Sequence, residues 1–212
     1  YYQAVGDIPQ SMKLTQKGIE INQRQGNRLG ETFGLINLGY FNLSLGHFTT
    51  SRVLLKRAFK IANKLGAQSC EAYSLLNLGF AEWRLGNPQD ACEALDCSLD
   101  KLEAVGDQMG LAYRLFYLGL VQESANEISE AEQHFTSACD SFKLLGANSG
   151  IIEAQAGLAR LALKSGDIEE AGHLAYKIFN YLDQEGPQGL ELPILVYLSC
   201  ARIFNDLEDT FM

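Results

Sequence analysis

Aligned in steps of 40 residues, the chain repeats one arrangement of large apolar, small and polar positions. A leucine followed by a small residue or its counterpart recurs at Leu38-Gly39, Leu78-Gly79, Leu118-Gly119, Leu158-Ala159 and Leu198-Ser199. Later in each unit a small residue, at Ser51, Ala91, Ala131 and Ala171, precedes Leu55, Leu95, Phe135 and Ala175 by four positions and Ala58, Ser98, Ala138 and Ile178 by seven. Offsets of four and seven put such positions on one helix face, and the small ones let a second helix approach closely.

Two series of chain breakers punctuate this pattern with the same period: Gly6, Gly46, Gly86, Asn126 and Gly166, then Gly26, Gly66, Gly106, Gly146 and Gly186. Glycine and asparagine enter the left-handed conformation cheaply, so both series read as helix C-caps. Each unit is then two helices. The first of each pair is predicted over 28–45, 68–85, 108–125, 148–165 and 188–205, and the second over 7–25, 47–65, 87–105, 127–145 and 167–185. Asp7-Ile8-Pro9-Gln10, Asn87-Pro88-Gln89-Asp90 and Asp167-Ile168-Glu169-Glu170 offer N-cap acceptors, with Pro88 at the first helical position.

The expectation is an all-α solenoid of antiparallel helix pairs, in which units bury their apolar faces against neighbours. About four complete repeats, 27–66, 67–106, 107–146 and 147–186, sit between partial ones at 1–26 and 187–212, in a single repeat domain over 1–212. The unfinished repeats at both ends are expected to belong to a longer protein. Apolar surface at Tyr1, Tyr2, Phe211 and Met212 would invite end-to-end self-association or contact with other domains and repeats of the parent.

Composition narrows the class. Hydrophobic residues make up 47% and prolines number only 4, which suits a helical core. No apolar run is long enough to span a membrane. Cys70, Cys92, Cys97, Cys139 and Cys200 are odd in number and lack C-x-x-C spacing, as expected of reduced thiols filling gaps in a cytoplasmic protein. The net charge of −9 argues against nucleic acid as a partner, although Arg52, Lys56, Arg57, Lys60 and Lys64 make one helix basic, a solvated or domain-contacting face.

Nothing in the chain assembles into chemistry. His47, His134 and His173 are its histidines, and the five-residue step from His134 to Cys139 turns the two side chains to different helix faces. Asp167, Glu169 and Glu170 are explained by the first turn of a helix, where carboxylates offset the dipole. The glycines never cluster as a phosphate loop. No catalytic residue, metal ligand or cofactor is expected, and the chain reads as a non-enzyme.

At the repeated positions the chain resembles the tetratricopeptide repeat family, whose motif is met by Leu35, Leu38, Gly39, Ser51, Leu55 and Ala58, and again by Leu75, Leu78, Gly79, Ala91, Leu95 and Ser98. HEAT and armadillo arrays have a similar period, but the Leu-Gly blocks and the alanine positions favour the tetratricopeptide reading. The period is 40 where the family's usual one is 34, and Asn42, Glu82, Gln122 and Ala162 stand where the family has tyrosine. The long repeats look like those of kinesin light chains, peptide-sensing bacterial regulators, and large bacterial signalling ATPases and transcription activators.

That resemblance implies a right-handed superhelix with a concave groove lined by the first helix of each pair, at Phe33, Asn37, Tyr40 and Ser44, at Tyr73, Asn77, Phe80 and Arg84, at Tyr113, Tyr117, Leu120 and Ser124, and at Glu153, Gly157, Arg160 and Lys164. Asn37 and Asn77 resemble the start of an asparagine ladder that holds an extended peptide backbone, since an amide offers both a donor and an acceptor. Trp83 and the tyrosines would anchor side chains. The implied function is capture of a protein or peptide, in the sensor or interaction segment of a larger bacterial regulatory protein. The alternative is a purely architectural or oligomerisation module, with the aromatics serving inter-repeat packing.

Overall fold

The computed structural model describes residues 8–211, with side chains as far as residue 207. Among these residues there are ten helices and no strand: α1 (Ile8–Arg24), α2 (Arg28–Ser44), α3 (Phe48–Leu65), α4 (Gln68–Arg84), α5 (Pro88–Val105), α6 (Gln108–Ser124), α7 (Ile128–Leu145), α8 (Asn148–Ser165), α9 (Ile168–Glu185) and α10 (Pro193–Phe211). The readings placed on Gly6 and Asp7, and on the side chains of Tyr1, Tyr2, Phe211 and Met212, lie outside the described residues.

The punctuation works as local chemistry requires. Asn126 has φ 63°, and Gly86, its counterpart one unit earlier, has φ 79°. At Gly86 the chain closes on itself: its N–H donates to the Trp83 carbonyl at 3.0 Å and the Asn87 N–H to that of Glu82 at 2.9 Å, satisfying acceptors that a helix end would leave open. Helix starts divide. Asp167 accepts from the Glu170 N–H at 3.1 Å, as expected. Asn87 does not cap α5; its side-chain amide donates instead to Glu82 at 2.9 Å, and Pro88 alone marks the start. Two unanticipated caps are Asn27, accepting from Gly30, and Asp107, accepting from Gly110.

One boundary is corrected. The last helix begins at Pro193, not near 188, and runs beyond 205. Gly186 takes φ 71° with ψ −172°, outside the left-handed helical cap, and Pro187 and Gly189 (φ 83°) carry the chain through an irregular segment before Pro193 opens α10 at its first position.

The chain divides into two compact units, through Gly110 and from Leu111. In the first, α1 to α5 pack each on the next, and α2 also on α4. Its core gathers Ile19, Leu35, Ile36, Leu38, Ala58, Ile61, Ala62 and Cys70. In the second, α7, α8, α9 and α10 pack in succession and α10 also reaches α8, around Ile152, Ala156, Ala159, Leu174, Ile178, Val196 and Ile203.

The 40-residue code is the packing code in both. Ser51, Ala91, Ala131 and Ala171, and the apolar positions four residues on, are all fully buried. A Cβ built on Gly39 would come within 2.8 Å of Leu55, and one on Gly119 within 2.7 Å of Phe135, so these glycines are where two helices meet too closely for a side chain. The Ser51 hydroxyl donates to the Gly39 carbonyl at 2.9 Å across the first crossing.

Candidate functional site

On α2, Phe33 and Asn37 are exposed and Tyr40 is half-buried; on the neighbouring α4, Tyr73 and Arg84 are exposed and Trp83 is half-buried. Offsets of four and three keep each set on one helix face. Asn77 is only 7% exposed, yet its amide bonds to no other described residue. Asn37 likewise makes no hydrogen bond with a described residue. The Asn77 amide is not among the enclosed polar atoms left without a partner, so it still reaches water and can exchange that water for another donor and acceptor.

Around it the aromatics are organised. Phe80 and Trp83 lie with ring centroids 5.4 Å apart, and the Arg84 guanidinium sits 4.5 Å over the Phe48 ring and 5.4 Å from that of Trp83. Such stacking holds the cation while burial weakens its hold on the proton, and among the described residues no carboxylate pairs with it. Tyr73 donates its hydroxyl to Asp107; burial first, then that hydrogen bond and the Asp107 charge, push the phenol up to about 12. Phe80 is itself interior, 6% exposed, so packing fixes it.

The candidates in the second unit are placed differently. Tyr113 meets Phe142 edge-on at 5.0 Å and lies 6.0 Å from Tyr117. Tyr117 is buried, and its hydroxyl donates to Glu191 of the segment before α10. Arg160, another groove-face expectation, forks onto Glu123 at 2.8 and 2.6 Å and reaches Ser199 at 3.1 Å. Lys164 donates to the Glu123 carbonyl.

The basic helix α3 is partly neutralised by acids from its neighbours. Arg57 pairs with the fully buried Glu31 of α2, which also takes Arg28 at 2.6 Å and Gln23 at 2.8 Å. Lys56 and Arg52 reach Glu82 of α4 at 3.0 and 3.6 Å. Burial raises the pKa of both glutamates, but the hydrogen bonds and neighbouring cations outweigh it and leave each below the ordinary carboxylate range. The sequence signal for this was the family's missing tyrosine: Glu82 stands there, Asn42 at the equivalent place donates to the Leu38 carbonyl at 2.7 Å, and Gln122 lies 2.6 Å from His134. Asn42 and Glu82 are buried and Gln122 is half-buried, and each has a polar partner on its own or a neighbouring helix.

A further group was not anticipated as a unit. Glu153 of α8 is 1% exposed and accepts the Leu192 N–H at 2.6 Å, while its second oxygen has no donor. Burial, then the neighbouring Glu191 charge, push it up to about 8 against the pull of the Leu192 and Glu191 N–H groups. Glu191 is raised to about 7 by burial, opposed by the Tyr117 hydroxyl.

No helix among the described residues is long and apolar enough to cross a membrane. Residues 68–144 match the tetratricopeptide repeat family model. The chain is similar to the crystal structure of BtubC (BKLC) from P. vanneervenii, with a TM-score of 0.72 and 14% identity over 95% of this chain and 85% of that one. It is also similar to the TPR-like repeats named for a kinesin light chain of Podosopora anserina, with a TM-score of 0.62 and 16% identity over 85% of this chain and 89% of that one. No curated protein matches the sequence. The repeated Leu-Gly and small-residue positions, the all-α repeat solenoid and these likenesses show a tetratricopeptide-like repeat fold, with the family's own model matched over residues 68–144.

Proposed function

We propose that the face of α2 and α4 captures an extended segment of a partner protein. Tetratricopeptide repeats are in general protein-interaction scaffolds, and the observation that carries this reading is the Asn77 side chain, 7% exposed, whose amide still reaches solvent and bonds to no described residue. Its donor and acceptor suit one peptide unit of a partner, and exposed Asn37 offers the same pair one repeat earlier. Phe33, Tyr40, Tyr73 and Trp83 supply partly exposed aromatic surface for side chains, and Arg84 takes an acidic group. The role is one of binding, in the cytoplasm, within a larger regulatory or signalling protein. A peptide-library screen against the wild-type chain and the Asn37→Ala, Asn77→Ala double variant tests it: binders that lose affinity in the variant are expected, and equal binding by both, or no binder, overturns it.

A second, architectural reading has its own observation. Leu198 is 61% exposed, whereas its equivalents Leu38, Leu78 and Leu118 are buried. A helix docked on α10 would cover it, from a further repeat or another copy. Concentration-dependent light scattering that Leu198→Glu abolishes supports this reading, and a strictly monomeric chain at high concentration sinks it.

A further inference from the structure

Glu153 and Glu191 sit in an arrangement that two ionised carboxylates cannot satisfy. The Glu153 carboxyl is closed off from water, and the backbone N–H groups of Leu192 and Glu191 both donate to it. Its other oxygen has no accessible surface and no donor. An ionised oxygen there has neither water nor a hydrogen bond, whereas a protonated one becomes a donor. Glu191, whose charge acts on Glu153, is the available acceptor, and it already receives the Tyr117 hydroxyl from α6.

No cation is among the groups that act on either carboxyl, Arg114 of α6 included. On α8 itself, Arg160 is bound to Glu123 and Ser199, and Lys164 to the Glu123 carbonyl. On α7, Lys143 pairs with Asp140 at 3.0 Å, and on α9, His173 lies 3.6 Å from Glu170. From α10 and the segment before it, the groups turned toward Glu153 are the two backbone N–H groups and Glu191. Like charges in one site hold a proton between them.

We propose that Glu153 and Glu191 share one proton, and that this proton latches segment 187–192 onto α8 and onto the Tyr117 hydroxyl. Loss of the proton leaves two adjacent carboxylates that repel, and the element that yields is the irregular stretch between α9 and α10, which is tied down by the Glu153 bond and by a turn from Leu190 to Pro187. Release frees the Tyr117 hydroxyl and loosens the start of α10. The raised pKa of both glutamates, each lifted chiefly by burial, puts the event near and above neutrality.

The test uses the whole chain with labelled glutamate carboxyl carbons, followed by NMR from about pH 4 to pH 9, together with exchange of the Leu192 amide. One carboxyl of the pair is expected to titrate above pH 6. Leu192 protection, corrected for intrinsic exchange, should fall about tenfold or more between pH 6 and pH 9. In Glu153→Gln, whose amide donates to Glu191 and whose carbonyl still accepts from Leu192, that fall should vanish. Both wild-type carboxyls titrating below pH 5, or a variant with the wild type's pH-dependent loss, overturns the proposal. Should the variant not fold, the wild-type titration decides alone.

Discussion

A Cβ built on Gly79 of α4 would lie 2.6 Å from Cγ of Leu95 on α5, and 3.1 Å from the Ala91 carbonyl oxygen. A side chain there would push Leu95 out of its place and press on the Ala91 carbonyl, so this crossing has no room for a large residue. Gly79→Leu is expected to destabilise the first unit by about 1–3 kcal/mol through overpacking, read as a lower denaturant midpoint. Gly18 of α1, where a Cβ would meet nothing within 4 Å, should behave oppositely. Gly18→Ala relieves the backbone entropy cost of a helical glycine and should raise stability by roughly 0.5–1 kcal/mol.

The buried acids of the first unit set its acid limit. Glu31 and Glu82 are held below the usual carboxylate range in the folded chain, so the folded state binds their protons less tightly than the unfolded one. Their contribution to stability is present above the unfolded value near 4.5 and is lost as pH falls through the lowered folded values. Melting temperature should therefore drop on acidification below about pH 4.5, and Glu31→Gln should flatten that drop while costing roughly 1–2 kcal/mol at pH 7, because Arg28 and Arg57 are half-exposed and can regain water.

Partner contact and packing separate on α4. Asn77→Ala removes no hydrogen bond to a described residue and should change stability by less than about 1 kcal/mol, while Phe80→Ala empties an interior site and should cost about 3–5 kcal/mol. Thermal unfolding of the two variants checks this; a large loss in Asn77→Ala would assign that side chain to packing.

Thiol reactivity should follow exposure. Cys97 is exposed, whereas Cys70, Cys139 and Cys200 are buried, and burial pushes their thiols up, that of Cys200 to about 11. A disulfide reagent at pH 8 should label Cys97 rapidly in the folded chain, and Cys97→Ser should remove that fast phase, with the buried thiols reacting only on unfolding.

What the sequence determined by itself is local or periodic. The left-handed caps at Gly86 and Asn126 are properties of one residue's backbone, and the pairing of Gly79 with Leu95 repeats in register as Gly39 with Leu55 and Gly119 with Phe135. A pattern copied every 40 residues states both the helix and the face it buries. The candidate face of α2 and α4 came from the family resemblance, and its stripe divides in the structure, with Phe33, Asn37 and Tyr73 exposed and Asn77 and Phe80 buried.

Tertiary structure decided the pairings between side chains far apart in sequence. Arg57 finds Glu31 across 26 residues, Arg160 finds Glu123 across 37, and Tyr117 finds Glu191 across 74. It also decided that Asn87 serves Glu82 instead of capping α5, and that α10 starts at Pro193, where the preceding segment can lay Leu192 on Glu153. A periodic code specifies apolar contacts because burial is non-directional and any large side chain opposite a small one satisfies it. A buried charge or amide needs one partner at one distance, and that partner is chosen only when the helices have met.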